Sequence, residues 1–318
     1  MTMTIVQKLS MTVGMTLFIG SGMLFINPAH ATGIHTSDAV CPIDEADTVK
    51  LYFEVSSNEY GGFDSDGATY SSGTQFREHA ISTCSKTLFS AYTKDMQQKI
   101  SPSDSAEIKK WLTPLAQQYP NPTVWERYEL AVSFYRWQGK DSIFLAQVYM
   151  EAAWTARDKA VGIHPDLKGP VVADQILEHG KTELAKDLTN EQRKMVTYNL
   201  ARVAHRNAQF TEREHYITQF LNDPTLEQYE RETAQEFIKL TTEVEPRLLK
   251  LALAEYLTHL QKAPQDGYTQ YIVADIFRRL GEYAQARTHF EKANLSAYLH
   301  DEQRMIVAHL LETMPSTP

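Results

Sequence analysis

Residues 271–293, YIVADIFRRLGEYAQARTHFEKA, constrain the fold of this 318-residue chain more than any other stretch. Apolar side chains fall at Val273, Ala274, Phe277 and Leu280, the spacing of one face of a helix. Gly281 follows at once, and a glycine there can stop a helix in the left-handed conformation without a Cβ penalty. A second stripe runs through Tyr283, Ala286, Phe290 and Ala293. The pattern predicts two antiparallel helices joined by a tight turn, with Ala274 and Ala286 allowing the backbones a close approach.

The same pattern recurs more loosely upstream. Tyr128, Ala131, Val132 and Tyr135 precede Gly139, and Ala146, Met150 and Ala153 follow it. A weaker copy has Leu200, Ala201 and Ala204, then Ala208 at the turn and Phe210 opening the partner helix. Arg213 stands there where a small core residue is expected. The turn residues Gly139, Ala208 and Gly281 are 69 and 73 residues apart. The small Ala274, aromatic Phe277, Gly281-x-Tyr283 turn and Ala286/Phe290/Ala293 ladder resemble a tetratricopeptide repeat. Each separation is close to two of that family's repeats of roughly 34 residues. The resemblance implies a mainly α, curved solenoid over residues 101–318. Further helices are expected at 103–118, 124–137, 142–157, from Thr189 to the turn at Ala208, at 210–221 and at 297–313. Two more helix pairs are expected around 171–188 and 226–260, the latter interrupted at Pro246, and the last helix would cap the stack.

The N-terminus reads differently. Residues 11–26, MTVGMTLFIGSGMLFI, are apolar, follow Lys8, and end at Asn27-Pro28 with Ala29-His30-Ala31 behind. This is the pattern of a secretory signal cleaved after Ala31, so residues 1–31 are read as signal peptide and the product as periplasmic or secreted. A retained N-terminal anchor is the alternative. Beyond residue 26 no run is long and apolar enough to span a bilayer. Cleavage removes one lysine and takes the net charge from −9 to −10. An acidic chain argues against nucleic acid and anionic membranes as partners.

Residues 32–100 form a separate segment rich in Ser, Thr and Gly. Residues 32–38 read as polar and unstructured. Residues 49–55 (VKLYFEV) and 87–92 (TLFSAY) read as strands, giving a small β module. Both cysteines lie here, in Cys41-Pro42-Ile43-Asp44 and Cys84-Ser85-Lys86-Thr87. With the helices that follow, this resembles an uncharacterised bacterial family with a CPxC…CPxC zinc-ribbon-like N-terminus and a tetratricopeptide-like C-terminus. Asp44 and Thr87 replace the second cysteine of each knuckle, which excludes a four-thiolate zinc site. The resemblance implies facing knuckles, so that in an oxidising compartment Cys41 and Cys84 form a structural disulfide. A metal site of Cys41, Asp44, His79 and Cys84 is the alternative.

Other candidate motifs fail on inspection. Asp64-Ser65-Asp66-Gly67 lacks the remaining ligands of a calcium loop and reads as an acidic glycine turn. Gly180-Lys181-Thr182 lacks the upstream glycine and strand of a phosphate loop. The eleven histidines form no HExxH, and His205, His215 and His289 read as surface or partly buried helix residues. No catalytic motif stands out and no cofactor is implied. The expectation is a non-enzymatic, exported interaction protein whose helical groove binds a peptide or an envelope protein. Trp137 and Tyr271 would anchor the concave face, with Gln270 and Arg278 beside them. The alternative is a metal-binding or metal-sensing module at the cysteines.

Overall fold

The computed structural model describes residues 33–56, 60–71, 75–162 and 167–315; the expected signal segment lies outside them. The described chain is mainly helical, with small antiparallel sheets at its N-terminal end. Strands β1 (Gly33–Cys41) and β2 (Asp44–Ser56) form a hairpin that turns at Pro42-Ile43. Residues 33–38, expected to be unstructured, are thus paired along β2. β3 (Tyr60–Phe63) pairs with β4 (Thr69–Ser71), and β5 (Ile81–Thr83) with β6 (Ser90–Tyr92). The strand expected at 87–92 is shortened to its last three residues, because residues 84–89 form a turn. In it the Cys84 and Phe89 backbones bond (2.9 Å), and Leu88 takes a positive φ of 57°.

After the single turn α1 (Thr93–Met96) come α2 (Pro102–Gln118), α3 (Val124–Trp137) and α4 (Ser142–Val161). Next are α5 (Gly169–Leu184), α6 (Asn190–Arg206), α7 (Phe210–Leu221) and α8 (Gln228–Lys239). A π turn over Leu240–Val244 leads without reversal into α9 (Glu245–Lys262). The expected helix pair at 226–260 is therefore one long, locally widened helix, and the pair expected at 171–188 is the single helix α5. Pro246 directly follows the π turn, whose widened backbone accommodates a residue without an N–H. The chain ends with α10 (Gly267–Arg279), α11 (Tyr283–Asn294) and α12 (Asp301–Thr313).

Three hairpins, α3/α4, α6/α7 and α10/α11, turn in the same way. At Gly281 the Glu282 N–H bonds the Phe277 carbonyl (2.8 Å) and the Gly281 N–H bonds Arg278 (3.0 Å). Lys140 to Tyr135 and Gly139 to Arg136 repeat this at 3.0 Å each. Gln209 to Ala204 (2.8 Å) and Ala208 to His205 (3.0 Å) repeat it again. These are Schellman caps, each with its residue in the left-handed region: Gly139 at φ 73°, Ala208 at 54° and Gly281 at 77°. The core stripe expected around them is buried: Ala131, Tyr135, Ala201, Ala274, Phe277, Ala286, Phe290 and Ala293. Tyr283 packs half-buried at the edge of the core.

α4 is the central element. It has no polar stripe; most of its 20 residues are buried, as expected for a helix covered all round. It packs against α3, α6, α8, the π turn and, most extensively, α9, while α12 returns to pack on α5. One continuous core runs from Cys41 through the strands, α2–α4 and α9–α12, and a second lies among α4–α8. The boundary expected at residue 100 is therefore no break in the core.

Candidate functional site

The polar centre of the protein is built on Arg157, an arginine in the last turns of the largely apolar helix α4. Its guanidinium is fully buried and meets three carboxylates: Asp64 (2.9 Å), Asp66 (2.7 Å) and Glu245 (2.7 Å). Asp64 and Asp66 come from the tip of the β3/β4 hairpin, closed by an Asp64 N–H to Ala68 carbonyl bond of 2.8 Å. The sequence reading of this stretch as an acidic glycine turn is what the structure shows. The turn, however, is thrust among the helices and buried. Asp66 also accepts from Trp154 Nε1 (3.1 Å) and pairs with Arg279 (3.2 Å). Arg206 bridges Asp64 (3.3 Å) and Asp158 (3.4 Å) and lies 4.0 Å over the Tyr70 ring, whose hydroxyl donates to Asp64. Arg77 pairs with Asp158 at 3.3 Å. Ser65 Oγ donates to Asp275 (3.1 Å) and accepts from Arg278 Nη2 (2.7 Å). Arg278 and Arg279 each pair with Asp275 at 2.8 Å.

Acids and arginines thus compensate one another inside the protein, as buried charge requires. Burial pushes the Asp66 carboxyl up, but Arg157 and Arg279 outweigh it and hold Asp66 well below the usual range. The same balance, with Arg157 and His205 as the opposing groups, holds Glu245 at about 2. Asp158 goes the other way: burial raises it to about 6 despite Arg77 and Arg206. His205, expected at or near the surface, is buried. Its Nε2 lies 2.7 Å from Glu245 Oε2, and Nδ1 lies 3.4 Å from Arg213 Nη1. A neutral ring that donates through Nε2 and accepts at Nδ1 fits both, and burial lowers its pKa. Arg213, which weakened the repeat pattern, serves here as the donor to that histidine.

This hairpin bonds two of the residues expected to line a groove, Tyr271 and Arg278. Tyr271 is buried with its hydroxyl donating to the Ser65 carbonyl; Gln270 and Arg278 are buried too. Trp137 stacks on Phe134 with ring centroids 6.0 Å apart.

The two cysteines form a disulfide with Cα atoms 5.7 Å apart, and the knuckle-like turns face each other across it. Asp44 is drawn off to Lys109 (2.8 Å), and His79 stacks on Tyr52 at 4.8 Å. The carboxylate beside the sulfurs is Asp47, which the sequence reading passed over. Its oxygens accept the Lys86 N–H (3.0 Å), the Thr87 N–H (2.8 Å) and the Thr87 hydroxyl (2.9 Å). Asp47 therefore anchors the second turn with lone pairs that a metal would need. The expected Cys41, Asp44, His79, Cys84 ligand set is not brought together.

Beside the hairpin, where the strands meet α4, opens a cavity of about 600 Å³. Its walls include Phe76, Arg77, Tyr92 and Trp154, its rim Glu54 and Lys94, and its lining the carboxylate of Glu151. Glu151 accepts a 2.8 Å bond from the Tyr92 hydroxyl. Among the described residues no lysine, arginine or histidine nitrogen lies within 4.0 Å of it; the nearby Arg77 is paired with Asp158. Burial raises its pKa. The walls are held from behind: Trp154 by Asp66, and Arg77 by Asp158 and the Thr69 carbonyl. Glu151 had no motif to mark it. The available signal was an acid set among apolar residues, VYMEAAW.

No protein-family model, no curated protein and no solved structure matches this chain.

Proposed function

We propose that this is an exported, non-catalytic interaction protein. Its binding site would be the cavity between the β module and α4, not the inner face of a tetratricopeptide-like helical array. The reading is carried by one observation: an aromatic-walled cavity of about 600 Å³ lined by a carboxylate that has no cationic partner. Cavities of this size with a few placed polar groups are the usual form of a ligand site. The helices contribute a rigid wall, and the filled interior removes the competing groove. Export fits the N-terminal pattern and the disulfide, which persists in oxidising compartments. The partner class in this reading is a peptide or protein segment.

The test is capture of partners from an envelope fraction by the intact mature protein, compared with Trp154→Ala. Both proteins are first shown to melt cooperatively. Loss of the same captured partner in the variant supports the reading. Undiminished capture by Trp154→Ala overturns it.

A further inference from the structure

The interior carboxylates of this protein follow a rule, and Glu151 breaks it. Asp64, Asp66, Asp158, Glu245 and Asp275 each have an arginine within 3.4 Å. Asp47 is satisfied by backbone N–H groups and a hydroxyl. Glu151 has neutral donors, the Tyr92 hydroxyl at 2.8 Å with Gln147 and Tyr128 close by, and Arg77 acts on it only through space; among the described residues it forms no ion pair, and it lines the cavity. A carboxylate removed from water without a counter-charge is costly, so the site favours a ligand that brings one.

Resting on the cavity reading above, we propose that the cavity takes the side chain of a basic residue of a peptide. Its ammonium or guanidinium head would sit against Glu151 and its aliphatic stem between Phe76, Tyr92 and Trp154. Three features fit a cation. The one internal cation lining the cavity, Arg77, is already paired with Asp158, so its repulsion is compensated. Glu54 and Lys94 at the rim are both exposed and screened by solvent, so they offset each other and leave Glu151 to set the sign. Aromatic faces suit both a methylene stem and the positive head. The acidic chain as a whole, at −9, would draw a basic segment toward the opening.

The experiment titrates the full mature protein with acetyl-Ala-Ala-Lys-Ala-Ala-amide and with the same peptide carrying norleucine for lysine. Calorimetry gives the affinity, and indole fluorescence reports Trp154. The lysine peptide is expected to bind at least about tenfold more tightly than its norleucine counterpart. Glu151→Gln is expected to erase that preference, while Glu151→Asp, a second variant that keeps the charge, retains part of it. Equal affinity for the two peptides, an undiminished preference in Glu151→Gln, or no binding of either peptide overturns the proposal. The outcomes separate the two readings. If lysine gives no preference but partner capture is still lost in Trp154→Ala, the cation assignment fails and the cavity stands. If capture is indifferent to Trp154→Ala, the cavity itself is wrong.

Discussion

Arg157 has no water to turn to, and every one of its side-chain hydrogen bonds is to a buried acid. The value of such a cluster lies less in net stabilisation than in the cost of breaking it. Asp66→Ala is expected to destabilise the protein by about 3–5 kcal/mol, measured by urea unfolding, because the buried Arg157 and Arg279 would each lose a carboxylate and Trp154 its acceptor. pH gives a second check. Glu245 is held at about 2, below its ordinary 4.5, so its contribution is present above pH 4.5 and is lost as pH falls toward 2. His205, lowered from 6.5, contributes above pH 6.5 and loses that contribution as pH falls through its folded value. Asp158, raised from 3.8 to about 6, works in reverse: its contribution is present below 3.8 and lost as pH rises through 6. Thermal melts should therefore show a steep acid limb below pH 4.5 that becomes shallower in Glu245→Gln. An unchanged limb in that variant would contradict the assignment. None of these roles was legible one residue at a time. The sequence marks Asp64–Gly67 as a turn but not as a buried one, since acids are by default at the surface. The usable clue was on the other side: Arg157 follows a long apolar run in α4, a helix buried on most sides, and must have partners.

Among elements, the hairpin turns were the most legible, because their chemistry is local. Gly139 and Gly281 need the left-handed conformation, and the residues around them need only helical spacing. An added Cβ at either glycine meets nothing within 4 Å, so only backbone strain opposes it. Gly139→Ala and Gly281→Ala are each expected to cost about 1 kcal/mol by chemical denaturation. Ala208→Gly is expected to lie within about 1 kcal/mol of the parent, on the stabilising side, since relief of strain opposes the extra freedom of the unfolded chain. Which helix packs on which was not legible. α4 meets α9 across about a hundred residues of chain, and sequence spacing carries no signal of that pairing. The 228–262 stretch misled for a local reason: Pro246 reads as a break, but in the first turn after a π bulge it is tolerated.

At the scale of the whole molecule, the β module and the helices share one core, and the disulfide closes a loop between residues separated by 43 positions. Loop closure of that length stabilises by at most about 4 kcal/mol. Cys41→Ser/Cys84→Ser is therefore expected to unfold at lower urea, by up to that amount, and the oxidised parent to show no free thiol until reduced. A thiol in the untreated protein would contradict the bridge. The cysteine pairing was legible because two knuckle-like tetrapeptides flag each other. Asp47 was not, because it works through backbone N–H groups that any sequence possesses.

The buried hairpin also sets the order in which the protein can be completed. Ser65 and Asp66 emerge early in synthesis, yet Arg278 and Arg279, which hold them, are made more than two hundred residues later. Contacts so far apart in the chain form late, after a large loop has closed. A chain released before α10 would therefore hold its buried turn through Arg157 and Arg206 alone, without Arg279 on Asp66 or Arg278 and Tyr271 on Ser65. Only the finished polypeptide can close around its own N-terminal turn, so the same clasp that rigidifies the cavity also makes the native state contingent on nearly the entire length being present.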